Sequence, residues 1–453
     1  MKKNDEIELV CMDLSDQGFG IGHHEGMTVF ADNLLPGEKA RVKVIKLSKT
    51  YAIGKVVERL ITSKDRIEPA CAQANRCGGC ALMHLKYDRQ LDYKEKQLKD
   101  LFHAISPEIE VLKPLGMAVP YHYRNKAQFP VRIQNGKVEG GFYRARSNDI
   151  VPVRECMIQS EKINEIYQWL LDHLSLDQAG SLRHLLLRES KKTSQVQVVF
   201  IGEKNHNLKS LAHKLVHDHP EVASVIFNLN QRKDNVILGD QYEVLYGQDY
   251  IAEKCLDLDI QLHFKSFFQV NPQQMEVLYS KALEMADLNK DDQVIELYSG
   301  TGTIGLLAAR KAGYVTGVEI VPEAVANARV NQQLNGIENA RFVCMDASEF
   351  AAKKENQADV VLVDPPRKGM TRQGIEDICA LEPKRVVYIS CNPRTLARDL
   401  KEFASRDYQC LKIQPVDMFA HTTGMECIAL LVRKNPVQDD RQKESVPADN
   451  QLH

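Results

Sequence analysis

Along residues 1–62 short apolar runs at 7–11, 28–30 and 40–47 alternate with polar positions, and Gly18, Gly20, Gly22, Gly26 and the Pro36-Gly37 pair divide them. Period-two alternation broken by turn formers predicts short strands closing into a small OB-like β-barrel. Residues 86–105 form a charged helical run. The stretch 121–262 mixes predicted strands at 195–201 and 222–228 with helices at 161–173 and 209–217, an α+β pattern. From His263 onward the order becomes strand, Gly-rich turn, helix, strand, the rhythm of a parallel sheet with helical crossovers. Residues 436–453 are polar and unpatterned, which predicts a disordered tail. The expected organisation is α/β and multidomain: a barrel at 1–62, an α+β central domain at 63–262, a Rossmann-like domain at 263–435 and the tail.

Length and composition agree with this division. A chain of 453 residues suggests two or three domains. No apolar run approaches the roughly 18 residues that span a bilayer, and the opening MKKNDEIELV lacks the apolar core of a signal peptide, so no membrane role and a cytoplasmic location are expected. The net charge of −2 hides local basic segments. Residues 38–66 hold nine Lys/Arg against three acids, and residues 121–146 hold six against one. Such surfaces suit a polyanion that is bound and released. OB-type barrels commonly bind single-stranded nucleic acid. With its basic cluster, the first segment resembles a TRAM domain, a module of RNA-modifying enzymes.

The stretch VIELYSGTGTIGLLAARKAGYVTGVEI carries a cofactor signal. A strand at 294–298 runs into Gly300, Gly302 and Gly305, which form a G-x-G-x-x-G turn opening a helix, and the strand from Val315 ends in Glu319. Glycines at these places let a backbone approach a cofactor, and an acid about 20 residues on holds ribose hydroxyls. A dehydrogenase and a methyltransferase both use this turn. The following strands end in Asp346, in Asp364-Pro365-Pro366-Arg367 and in Cys391. Ligands bind beyond the carboxyl ends of such strands, so Glu319, Asp346, Asp364 and Cys391 are expected at one crevice. A free cysteine is usually a small buried hydrophobe. An Asp-Pro-Pro turn followed one strand later by a terminal cysteine suits nucleobase methylation better than hydride transfer.

FFQVN at 267–271, GTGTIG at 300–305, DPPRKG at 364–369 and SCNP at 390–393, with HYRNKAQFPV at 122–131, together resemble the S-adenosylmethionine-dependent RNA (uracil-5-)-methyltransferases. The TRAM-bearing branch acting on 23S ribosomal RNA fits best. The resemblance implies Cys391 as nucleophile and Glu426 as base, with S-adenosylmethionine held by Gln269, Tyr298, Gly300, Gly302, Glu319, Asp346 and Asp364. Carbon 5 of uracil is a weak nucleophile, and a thiolate adding at carbon 6 makes it an enolate carbon that can attack a sulfonium methyl. Cysteine suits that task, being partly thiolate at neutral pH and strongly nucleophilic. The target uridine must be flipped out or already lie in an open loop. Arg124, Lys126, Phe129 and Arg132 in the basic central segment are candidates for RNA contact.

Cys71, Cys77 and Cys80 stand as C-x5-C-x2-C, and Cys156 follows in VRECMI. Four thiolates hold zinc or an iron–sulfur cluster, and spacing does not choose between them. The resemblance implies a 4Fe-4S cluster on these four. The chain departs from the family pattern at Met83, Ser299 and Gly424-Met425, none of which removes a group the chemistry needs. A transfer RNA methyltransferase is the nearest alternative; the barrel and cysteines weigh against it. A non-catalytic RNA-binding protein would have no use for Cys391 with Glu426.

Overall fold

The computed structural model describes residues 1–353 and 358–434. The expected tail, 436–453, lies outside the described residues. The first strands are β1 (Glu6–Val10), β2 (Asp13–Leu14), β3 (Gly20–His24), β4 (Met27–Asp32), β5 (Lys39–Leu47) and β6 (Tyr51–Ile61), joined in the order β1-β5-β6-β4-β3-β2. Alternate residues turn inward, so Leu9, Val29, Ala31, Val42 and Val44 form a core of their own. Glu38 is fully buried beside it. Its carboxylate accepts from Arg66 at 2.6 and 2.8 Å and from the backbone N–H of Leu35 and Ser63, which ties this domain to the segment that follows.

Helix α1 (Tyr87–His103) and the two-residue strand β7 (Glu110–Val111) come next. The central sheet is built from β8 (Lys126–Gln134), β9 (Lys137–Tyr143), β10 (Ile150–Pro152), β11 (Leu182–Ser190), β12 (Gln195–Gly202), β13 (Val222–Leu229) and β14 (Tyr242–Gly247), in the order β10-β9-β8-β11-β12-β13-β14. It packs on α2 (Glu161–His173), α3 (Leu176–Ser181) and α4 (Leu208–Asp218). Ser160 caps α2, its side chain accepting from Ile163 N–H. A hairpin, β15 (Tyr250–Cys255) and β16 (Leu258–His263), leads out of this domain.

The last region alternates α5 (Pro272–Ala286), β17 (Gln293–Leu297), α6 (Thr303–Ala309), β18 (Tyr314–Glu319), α7 (Pro322–Leu334), β19 (Ala340–Cys344), α8 (Ala347–Ala351), β20 (Val360–Val363), α9 (Arg372–Ala380), β21 (Arg385–Ser390), α10 (Pro393–Ala404), β22 (Tyr408–Val416) and β23 (Glu426–Arg433). Its eight-stranded sheet runs β19-β18-β17-β20-β21-β23-β22-β7. The first five are parallel, and β23 is antiparallel to β21 and to β22. Chain order reverses at β17, the switch point where such sheets leave a crevice. Strand residues alternate between two cores: Val294, Leu362, Val387, Ile389 and Ile428 face one side, and Ile295, Val361, Val386, Tyr388 and Leu431 the other.

Two assignments differ from the sequence reading of domains. Leu98 and Phe102 of α1 and Val111 of β7 lie in the core of this eight-stranded sheet, with β7 pairing β22 at its edge. Ile251, Ile260 and Leu262 of the β15–β16 hairpin pack on its opposite face. Both pieces lie within 63–262, so that span is not one separate body.

Removal of the buried Glu38 carboxylate leaves the backbone N–H groups of Leu35 and Ser63 without their acceptor and the Arg66 guanidinium with only its bonds to Asn33. Glu38→Ala is expected to lower stability by about 3 kcal/mol, read as an earlier urea midpoint at unchanged slope.

Candidate active site

The Gly-rich turn opens directly after β17. Tyr298, Gly300 and Gly302 have φ of 64°, 53° and 79°. At Gly302 a β-carbon would press into Phe342 and Ala328, so both backbone angle and space demand glycine there. Glu319 at the end of β18 braces the turn: its carboxylate accepts from Gly300 N–H at 3.0 Å and from Val321 N–H at 2.9 Å. Ile320 beside it is 60% exposed, an apolar face next to an acid. Asp346 caps α8 by accepting from Ser348 and Glu349 N–H and lies within electrostatic reach of Tyr298. Gln269, buried ahead of α5, reaches the hydroxyl of Tyr279, and Tyr279 in turn senses Asp364. Glu319 and Asp346 thus stand at the carboxyl ends of neighbouring strands, beside the Gly-rich turn.

The reactive side follows from register. Ser390 pairs with Cys427 and Ile389 with Ile428, so the next step of the ladder sets Cys391 opposite Glu426. Directly opposed residues in an antiparallel pair have β-carbons about 5 Å apart. Parity puts Cys391 on the face of Ile389, Glu426 on that of Ile428 and Asp364 on that of Leu362, which is one and the same face. The turns are locked together, because Asn392 Nδ2 and Thr395 Oγ1 both donate to the carbonyl of Arg367, at 3.0 and 3.3 Å. Asn392 also caps α10 with Pro393 in its first turn, which holds the cysteine just ahead of a helix N-terminus.

Electrostatically the site is crowded with acids. Burial pushes the Asp364 carboxyl up to about 7. Glu426, only 2% exposed, is raised well above the ordinary carboxylate range by burial and then by Asp364, with Arg367 opposing, and its Oε2 has no hydrogen-bond partner. Burial and the Glu426 carboxylate push the Cys391 thiol up to about 11, again opposed by Arg367. Arg367 is thus a member of the site, one the sequence reading quoted within DPPRKG without giving it a role.

Residues 86–434 match the family described as tRNA (Uracil-5-)-methyltransferase, and residues 3–57 match the TRAM domain. The chain belongs to the uracil-5-methyltransferase family. It is 41% identical to an uncharacterized RNA methyltransferase of Halalkalibacterium halodurans, covering 96% of this chain and 98% of that one. A second uncharacterized RNA methyltransferase, from Listeria innocua, is 40% identical over 96% of this chain and 99% of its own. Among solved structures, the Pyrococcus abyssi tRNA (uracil-54, C5)-methyltransferase in complex with S-adenosyl-L-homocysteine superposes with a TM-score of 0.74 at 27% identity, covering 94% of this chain and all of that one. The protein is an RNA-directed enzyme of the methyltransferase class, an α/β fold with an N-terminal TRAM domain.

In this methyltransferase Cys71, Cys77, Cys80 and Cys156 line one cavity of about 330 Å³, with Met83, Phe142, Ile158 and Arg124 among its walls. Burial raises the thiols of Cys77, Cys80 and Cys156, and their neighbouring sulfurs raise them further. Four thiols lining one cavity fit a thiophilic cationic centre, which would stabilise them as thiolates together. Asn164 fixes the last of them, bonding both the N–H and the carbonyl of Cys156.

The four candidate RNA contacts separate. Phe129 is fully buried and stacks on Tyr167 at 3.8 Å, so it is a core residue and not a contact. Arg124 faces the cysteine cavity. Lys126 is half-buried and lowered to about 7 by burial and by the charges of Arg188 and Arg124. Arg132 pairs with Glu139 at 3.0 Å. Phe267, to which the sequence reading gives no role, is 69% exposed two residues before Gln269, while Phe268 is buried. The paired aromatics of FFQVN carried that signal, since one of two adjacent residues in extended chain must face outward.

A thiol near 11 is protonated at neutral pH, and its thiolate fraction grows tenfold per pH unit below that value. In the free enzyme, alkylation of Cys391 by iodoacetamide is expected to speed up about tenfold per unit between pH 7 and 10. Arg367→Met should slow it further. Peptide mass spectrometry reads both.

Proposed function

We propose that this enzyme methylates carbon 5 of a uridine in 23S ribosomal RNA, with S-adenosylmethionine as donor and a transient bond between Cys391 and carbon 6. The observation that carries this reading is the opposition of Cys391 and Glu426 across β21 and β23, beside Asp364, at the open end of a cofactor-binding sheet. The Cys391 thiolate adds at carbon 6, and the electron pair of the 5,6 double bond moves toward the carbonyl at carbon 4. Carbon 5 of the enolate takes the sulfonium methyl, leaving S-adenosylhomocysteine. Glu426 then removes the proton from carbon 5, the double bond reforms and the carbon–sulfur bond breaks, returning the thiolate. A carboxylate of raised basicity suits the last step. For the donor, Glu319 and Asp346 meet hydroxyl and amino groups, the backbone at Gly300 and Gly302 allows close approach, and Gln269, Tyr298 and Asp364 surround the reacting end.

Charge explains the order of events. The free site disfavours a thiolate because Cys391 is poorly solvated and Glu426 and Asp364 lie near it. A sulfonium ion brings positive charge beside these acids, and so favours both thiolate and carboxylate. Exposed Phe267 offers a stacking face to a base next to the flipped uridine, and Arg132 offers charge to phosphate. We assign a 4Fe-4S cluster to Cys71, Cys77, Cys80 and Cys156 as a structural or RNA-positioning element. The cluster would supply a rigid covalent anchor between two distant chain segments, since methyl transfer consumes no electron.

A transfer RNA is the second reading, and one observation favours it. The Pyrococcus abyssi enzyme, whose name specifies tRNA, covers so much of this chain that the unmatched residues are fewer than those of the N-terminal domain. The barrel alone therefore does not exclude a transfer RNA substrate.

Incubation with labelled S-adenosylmethionine and separate 23S and transfer RNAs lacking 5-methyluridine distinguishes the two readings. Label is expected in 23S uridine; label confined to transfer RNA selects the second, and full activity in Cys391→Ala would sink the mechanism. Truncating the nucleophile is expected to lower kcat by at least about 10³-fold. Purification without oxygen should give a brown protein with four iron and four sulfide per chain, and a colourless zinc protein would refute the cluster.

A further inference from the structure

Glu426 has no partner at Oε2, so no hydrogen bond to that atom fixes where it points. Its orientation comes from the backbone. Glu426 pairs with Val416 at the mouth of the connection 417–425, and that connection is held from outside almost carbonyl by carbonyl. Asn271 Nδ2 donates to Met418 O at 3.2 Å, Lys94 Nζ to Phe419 O at 3.2 Å, Tyr123 Oη to Ala420 O at 3.0 Å and Leu82 N–H to His421 O at 2.9 Å. His421, with φ of 66°, receives a further hold from Gln90, which accepts from its N–H at 2.9 Å.

At the root of this connection stands a buried ion pair. Lys94 Nζ lies 2.7 Å from Asp417 Oδ1, with the two side chains 1% and 0% exposed. Tyr87 Oη donates to the other Asp417 oxygen at 2.8 Å. A buried pair of this kind adds little net stability over apolar residues of similar size, so stability alone does not account for it. It sits next to the residue that faces Glu426, and it joins α1 to the only route by which the chain reaches β23.

We propose that Lys94 and Asp417 are positioning residues for Glu426, holding the connection 417–425 so that the carboxylate meets carbon 5, and that they govern removal of the carbon 5 proton rather than attack or methyl transfer. The proposal rests on the reaction given above. The connection also carries Thr422 into the wall of the cysteine cavity and Ala420 into the apolar cluster packed against Cys71, Cys80 and Cys156. The cavity and the base therefore share one stretch of backbone.

The step is separable because the methylated adduct persists until the proton leaves. Once the carboxylate takes the proton, the C–H electron pair forms the 5,6 double bond and the sulfur departs with the carbon–sulfur pair. In the double variant Lys94→Met/Asp417→Asn both charges are removed and the acceptor for Tyr87 is kept. Single-turnover mixing with labelled donor and RNA, quenched in detergent, counts the denaturation-stable protein–RNA adduct. Formation is expected within about twofold of the unsubstituted enzyme, and decay slowed roughly tenfold to a hundredfold. Tyr123→Phe, which removes only the bond to Ala420, should slow decay in the same direction by a smaller factor. Normal decay in the folded double variant, or in Tyr123→Phe if the double variant does not fold by circular dichroism, overturns the proposal. Equal slowing of formation and decay also overturns it. No adduct with the unsubstituted enzyme would instead remove the reaction on which the proposal stands.

Discussion

The antiparallel register between β21 and β23 is the constraint on which the site depends. Tyr388 and Leu431 face one core while Ile389 and Ile428 face the other, so neither strand can slip by a residue without turning its apolar side chains into the wrong layer. The same constraint fixes Cys391 against Glu426, since each continues a ladder already pinned by burial. Tyr388 adds a bond from its hydroxyl to Asp399 at 2.7 Å, which fastens α10 beneath the cysteine turn. Chemistry at the strand ends is thus a by-product of packing in the strand middles.

The free site is held in a neutral, unreactive balance. Asp364, Glu426 and Cys391 sit close together in a poorly solvated crevice with Arg367 as the nearby cation, and each group is raised. A low effective dielectric makes every added negative charge costly until a positive one enters. On the proposed reaction a cationic donor would change that balance beside Cys391.

Much of this was legible in the chain. Gly300, Gly302 and Gly305, the acid at Glu319 and the Asn-Pro break after Cys391 mark backbone events that only a few residue types permit, and α2 begins and ends where its apolar period does. What escaped were long-range pairings and side-chain directions. Strand β7 has two residues and no period to read, and its partner lies some three hundred residues later in the chain. Phe129 was misjudged although Ala127, Phe129 and Val131 alternate as an inward face; its basic neighbours drew it into the wrong class. Lys126 and Arg124 look alike in sequence, and only tertiary structure separates the first from the cysteine cavity wall.

Strand β7 also bears on the order in which the molecule can be made. It and α1 emerge early in synthesis, yet the edge they complete does not exist until β22 appears. The β22–β23 hairpin must then enter between β21 and β7, so the last of the described strands close the sheet and bring Glu426 to the cysteine. Such distant pairing is a late step in folding. A nascent chain therefore holds its Gly-rich turn and Cys391 before it holds Glu426, and the two sides of the crevice meet only when the final segment of the described chain is in place.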